Sequence, residues 1–208
     1  MKVLLINGSP HEHGTTYVAL SEVARTLDAE GIDTEIFHVG TGAVHGCIAC
    51  HHCSKDGRCV FQDDPVNTII EKAAKSDGFI FGAPVHYAGP AGIMHTILDR
   101  AFYAGKAAFT YKPGAAVVCC RRGGATASFD SLNKYFTIAN MPVVPSQYWN
   151  MVHGTNPDEV KRDLEGIQTM RMLGHNMAYF LKCKEVGGKL GIPMPPQETF
   201  VYMNFIRK

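Results

Sequence analysis

The sequence predicts an α/β fold, a parallel sheet with helices on both faces. Three observations carry this. Continuous apolar runs at 3–6, 78–82 and 115–120 have the length and composition of strands buried on both sides. The segments between them repeat apolar residues at i, i+3, i+4 and i+7, the stripe of a helix packed on a core. The two kinds alternate along the chain, which is the order of a parallel sheet.

Taken in order, residues 2–6 read as a buried strand, and helix one starts near Thr15 with Leu20, Val23, Ala24 and Leu27 on one face. Gly31 closes that helix. A second strand covers 34–39, and 40–63 is a long irregular connection, of a length usually reserved for function. Asp64 caps the next helix with Pro65 at its first position, and Val66, Ile69, Ile70 and Ala73 form its apolar face. The strand at 78–82 is broken by Ala83-Pro84; a helix over about 90–103 turns Ile93, Met94, Ile97 and Leu98 inward. After the strand at 115–120 come a loop at 121–124, a helix over about 126–138, and a fifth strand from Pro142 toward Tyr148. Asn156-Pro157-Asp158-Glu159 caps a long final helix, and the tail from Gly187 ends in Phe200, Tyr202 and Phe205, which are expected to dock. A chain of 208 residues fits one domain, 1–208, with an insertion at 40–63 and a tail at 187–208.

Composition excludes several classes. A net charge of +1 with scattered basic residues argues against nucleic acid, and the absence of any apolar run near 18 residues argues against a membrane span. The chain passes from Met1-Lys2 straight into a strand without a signal-peptide pattern, so a cytoplasmic protein is expected. Seven cysteines then need a role other than structural disulfides. Cys119, Cys120 and Cys183 sit in apolar surroundings and read as small buried side chains; Cys47, Cys50, Cys53 and Cys59 lie within 13 residues and do not.

In a parallel sheet ligands sit at the carboxyl ends of the strands, which selects the loops 8–16, 83–90 and 120–126. The first, Gly8-Ser9-Pro10-His11-Glu12-His13-Gly14-Thr15-Thr16, joins a buried strand to a helix start, a natural anion site. It lacks the lysine of a triphosphate loop and the G-x-G-x-x-G of a dinucleotide loop, leaving a Ser9/Thr15/Thr16 cradle suited to one terminal phosphate, or a loop that merely turns the chain. The second, Ala83-Pro84-Val85-His86-Tyr87-Ala88-Gly89, leaves backbone groups free to face a flat polar ring, with His86 or Tyr87 along it.

With Gly8-Ser9-Pro10, Gly14-Thr15-Thr16, Ala83-Pro84-Val85-His86-Tyr87 and Leu98-Asp99-Arg100, the chain resembles the NADPH-dependent FMN reductase family. The resemblance implies a flavodoxin-like three-layer sandwich, five parallel strands in the order 2-1-3-4-5, and FMN as cofactor. It implies that Ser9, His11, Gly14, Thr15 and Thr16 surround the phosphate. Pro84, Val85, His86 and Tyr87 then lie by the isoalloxazine ring, with Arg122, Gly123 and Gly124 near its far edge. The chain has His11 where the family often has Arg, and His86 where it often has Tyr.

The cysteines form C-x2-C-x2-C-x5-C, and Gly57 lets the chain return to Cys59. Three cysteines at successive x2 intervals wrap one compact object, as in bacterial ferredoxins; a zinc-held loop, with His45, His51 or His52 able to replace a cysteine, and a loop of free thiols are the alternatives. The spacing and position are similar to the iron-sulfur flavoproteins. That resemblance implies one [4Fe-4S] cluster on Cys47, Cys50, Cys53 and Cys59. Flavin chemistry needs no protein acid or base, so no catalytic proton is assigned. Three functions follow: an oxidoreductase moving electrons from NAD(P)H to a flavin, quinone or similar small acceptor; an electron carrier serving a ferredoxin-like protein; or a non-redox zinc-loop binding module. Tyr148-Trp149-Asn150 reads as a second-substrate wall or as core, and a homodimer or homotetramer is expected to cover the flavin edge.

Overall fold

In a computed structural model, residues 1–201 are described and form a six-stranded sheet between two layers of helices. The strands are β1 (Lys2–Asn7), β2 (Asp33–His38), β3 (Gly78–His86), β4 (Gly89–Pro90), β5 (Gly114–Cys120) and β6 (Met151–His153). The helices are α1 (Thr15–Ala29), α2 (Cys53–Asp56), α3 (Val66–Ala74), α4 (Gly92–Gly105), α5 (Ala125–Ile138), α6 (Pro157–Arg162) and α7 (Leu164–Lys189). The parallel order is β2-β1-β3-β5-β6, the flavodoxin-like 2-1-3-4-5 arrangement once the two-residue β4, antiparallel to β3, is set aside.

Alternate residues of each strand feed opposite cores, which is why the runs are apolar throughout. Leu4, Ile6, Phe79 and Phe81 pack with Met94, Leu98, Leu132 and Phe136 of α4 and α5. Val3, Leu5, Ile80 and Val117 pack with Leu20, Val23, Leu173 and Met177 of α1 and α7. Gly31, at φ +78° just beyond α1, is the left-handed residue that ends this helix.

Several sequence expectations are corrected. β3 runs through Pro84 to His86 instead of breaking at 83–84. Gly82 is the last β3 residue in register with β1, so the donor that Pro84 lacks falls beyond the end of β1. The fifth parallel strand is Met151–His153; Val143 makes only a single bridge to Gly114, and the chain leaves the sheet before returning. Asn156 caps only the six-residue α6, its Oδ1 accepting the Asp158 and Glu159 amides, and Asp163 caps α7 separately through the Gly166 amide. Helix α7 continues over Gly187 and Gly188 to Lys189, so Cys183 stands exposed on its end and not in the core. The connection at 40–63 contains one helical turn, α2. Phe200 is 72% exposed, and Tyr202 and Phe205 lie outside the described residues.

The sheet tolerates little added volume where helices cross it closely. A methyl group at Gly114 would stand 2.5 Å from Cδ1 of the buried Phe136. Gly114→Ala is expected to lower the unfolding free energy by about 1–3 kcal/mol. A urea titration giving the wild-type midpoint would contradict this packing.

Candidate functional site

Backbone bonds draw the three strand-end loops together. The Gly8 amide donates to the Gly82 carbonyl at 2.8 Å, tying the 8–16 loop to β3. Buried Asn7 organises that loop: its Oδ1 accepts the Ser9 amide at 3.1 Å and its Nδ2 donates to the Glu12 carbonyl at 3.0 Å. Ser9 Oγ accepts the His11 amide at 3.1 Å, and His38 Nε2 donates to the Ser9 carbonyl at 2.8 Å. Gly124, at φ +89°, lies against the second loop; a methyl group there would come within 2.6 Å of Ala88 Cα and 2.9 Å of Val85 Cγ1. Only glycine allows this approach.

The start of α1 leaves several donors open. Gly14 occupies the cap position without a side-chain cap, and a methyl there would crowd His11 Cβ at 2.9 Å. The amides of Thr15, Thr16 and Tyr17 have no backbone acceptor among the described residues, as at any helix start. Thr16 is fully buried, and its Oγ1 has no hydrogen-bond partner. The Cys119 thiol is near enough for Thr16 to favour its thiolate. Burial outweighs that influence and pushes the thiol up to about 12, so it stays protonated. A buried hydroxyl left unpaired costs about 1–3 kcal/mol.

The second loop is strained. Val85 pairs with Pro90 and His86 with Gly89, so Tyr87 and Ala88 are the two central residues of a tight hairpin. Both have positive φ, 50° and 61°, a conformation normally given to Asn-Gly. The turn presents Tyr87 fully to solvent on the rim. A cleft beside it is lined by Pro10, Gly40, Thr41, His86, Gly92 and Ile93, so the cysteine insertion begins at its wall. His11, Arg122 and Gly123 are exposed, Ser9 is buried, and Thr15 and Pro84 are half-buried. Tyr148 and Trp149 are about half exposed and meet edge to face at 4.9 Å, so they are not core; Asn150 is buried.

Cys47, Cys50, Cys53 and Cys59 line one recess, closed by Phe61, Arg100 and Tyr103. None forms a disulfide. Burial pushes the Cys53 thiol up, and the nearby thiols of Cys50, Cys59 and Cys47 add to the shift. Ala49 and His51, either side of Cys50, have positive φ and wrap the loop around the recess. Among the described residues no three His, Cys, Asp or Glu side chains approach closely enough to share one ion. Four thiols around one recess are soft donors of the kind that iron and zinc accept.

Helix α4 connects the two regions. Its start, at Gly92 and Ile93, lines the cleft, and its second half, at Arg100, Tyr103 and Ala104, lines the recess. At 1.5 Å per residue these sections are about 10–18 Å apart along the helix axis.

The model of the NADPH-dependent FMN reductase family matches residues 1–156. The chain belongs to this family. An iron-sulfur flavoprotein of Methanocaldococcus jannaschii is 32% identical over 190 residues, covering 88% of this chain and 98% of the relative. An iron-sulfur flavoprotein of Methanosarcina thermophila is 26% identical over 174 residues, covering 82% and 90%. Among solved structures, an NAD(P)H:quinone oxidoreductase from Methanothermobacter marburgensis superposes with a TM-score of 0.62 at 13% identity, covering 85% of this chain and 96% of that one. An archaeal flavodoxin gives 0.60 at 13% identity, covering 88% and 99%. The fold is therefore that of an FMN-binding oxidoreductase family. Among the described residues no helix is long and apolar enough to cross a membrane.

Sequence reasoning missed the polar residues that hold the cysteine loop in this family member. Asn67 of α3 accepts the Cys59 amide at 2.9 Å and donates to the Cys59 and Phe61 carbonyls, both at 3.0 Å. An asparagine on an otherwise apolar helix face, 5% exposed, was the available signal. Asn67→Ala removes three bonds to half-buried backbone and is expected to cost about 1–3 kcal/mol. Hydrogen exchange at Cys59 should accelerate with it; wild-type protection there would contradict the assignment.

Proposed function

We propose that the chain is an FMN-dependent oxidoreductase that takes electrons from NAD(P)H and delivers them to a flavin, quinone or similar small acceptor. The observation that carries the reading is the buried, unpartnered Thr16 Oγ1 beside the open amides at the start of α1. Ser9, Gly14, Thr15 and Thr16 would hold the phosphate, with His11 at the loop's exposed edge. Pro84, Val85 and His86 supply the wall for the ring, Tyr87 is poised to cover it, and Arg122, Gly123 and Gly124 approach from β5. When bound, FMN supplies the hydride and electron chemistry. The protein's part is to fix the anion, exclude water with Pro- and Gly-shaped backbone, and bring a cation near the ring. No side chain is assigned a proton transfer.

The recess lined by four cysteines favours a second element in the same reading. Cys47, Cys50, Cys53 and Cys59 would hold one [4Fe-4S] cluster, so the chain could equally exchange single electrons with a ferredoxin-like protein. The name of the Methanocaldococcus relative supports this. The exposed apolar residues Tyr179, Phe180 and Val186 on the outer end of α7, with Leu190 just beyond it, support assembly into a homodimer or homotetramer.

Thr16→Val keeps the buried methyl group and replaces the hydroxyl with a second methyl of similar size. It is expected to weaken FMN binding by about 1–2 kcal/mol, roughly a 5- to 30-fold rise in Kd. Fluorescence titration of the FMN-free protein measures it. Equal affinity in the two proteins would remove Thr16 from the cradle and leave the reading without its main support.

A further inference from the structure

Arg100 is 1% exposed, and the way it spends its donors is unusual. Its Nε and Nη2 both donate to Cys59 Sγ, each at 3.1 Å. This pair is the fork with which arginine normally grips a carboxylate bidentately. Here the carboxylate partner, the buried Asp64, meets only Nη1, which also donates to the His45 carbonyl at 3.0 Å. The Phe61 ring lies 4.9 Å from Cζ and shields the guanidinium from water. Burial works against the charge, but the bonds to Asp64 and Cys59 outweigh it and keep Arg100 ionised. The side chain is thus locked on several sides, with its best recognition face turned to one sulfur.

We propose that Arg100 is a positioning residue for a cysteine-held iron-sulfur cluster, fixing Cys59 Sγ in the recess and raising the cluster's reduction potential through its two N–H···S bonds. The inference rests on the cluster reading above and extends it to a residue outside the ligand set. An electron added to the cluster increases negative charge on its sulfur ligands, so donors to sulfur stabilise the reduced form more than the oxidised form. Asp64 offsets the long-range effect of the positive charge, which leaves the short contacts to sulfur as the main influence. Arg100 exchanges no proton and forms no covalent bond in this role.

The test uses the full chain, purified anaerobically, as wild type, Arg100→Lys, and the double variant Arg100→Gln with Asp64→Asn. The double variant leaves no uncompensated buried charge. Three quantities are read: iron per chain, the rate of iron loss to a chelator, and the cluster midpoint potential, with the flavin midpoint as internal control. We expect the double variant to lose iron roughly 10-fold faster and to have a lower cluster potential, with the flavin potential unchanged. Arg100→Lys, with charge but no fork, should fall between. Wild-type iron retention and potential in the double variant would overturn the proposal while leaving the cluster reading intact. If that variant does not fold, Arg100→Lys decides alone: a lowered cluster potential supports the proposal and the wild-type value overturns it. A wild-type protein without iron would overturn the cluster reading and the proposal with it.

Discussion

A parallel sheet buried on both faces leaves its chain only one place to present polar groups to a ligand. Val3 to Ile6, Phe79 to Phe81 and Ala115 to Val118 are fully buried, so nothing along those strands can meet a cofactor. Chemistry is confined to the edge where the strands end, and the loops there must be small and closely joined. The Gly8–Gly82 bond and the approach of Gly124 to Ala88 do that joining. The same edge collects the start of α1 with its open amides and buried hydroxyl. That convergence of donors is a consequence of sheet architecture before it is a matter of individual side chains.

The cysteine segment obeys a different constraint. It lies outside the sheet and has little apolar surface of its own, with Cys47, Cys50 and Ile48 all exposed. Its fixed shape comes from buried polar ties: Asn67 to the backbone of Cys59 and Phe61, and Arg100 to Cys59, Asp64 and His45. Such ties are costly to leave unmade, so they specify one arrangement of the loop rather than merely adding to stability. Helix α4 is the common element, bounding the cleft with its first turn and the recess with its second half.

Legibility in the sequence followed the range of the interaction. Strands β1, β2 and β5, helices α1, α3 and α5, and the positions of the three strand-end loops depend on local periodicity and turn residues, and were readable. Pro84 misled because its missing donor matters only if a neighbouring strand faces it, and β1 has already ended. Asn156 was readable as a cap, but the second cap at Asp163 was not, because Leu164 continues the apolar pattern without a break. Cys183 misled because α7 outruns the core that would have buried it. Arg100 could be noticed only as part of a resembling Leu-Asp-Arg motif. Its partners Cys59 and Asp64 stand 41 and 36 residues away, beyond any local pattern. The strain at Tyr87-Ala88 was likewise invisible, since it arises from the pairing of Val85 with Pro90.

The central claim is that one chain carries both a phosphate-anchored flavin and a cluster in the cysteine recess. Analysis of anaerobically purified protein for FMN, iron and acid-labile sulfide tests it most directly. The account predicts about one FMN with about four irons and four sulfides per chain. Protein that binds FMN but holds a single zinc or no metal in the cysteine recess would contradict it.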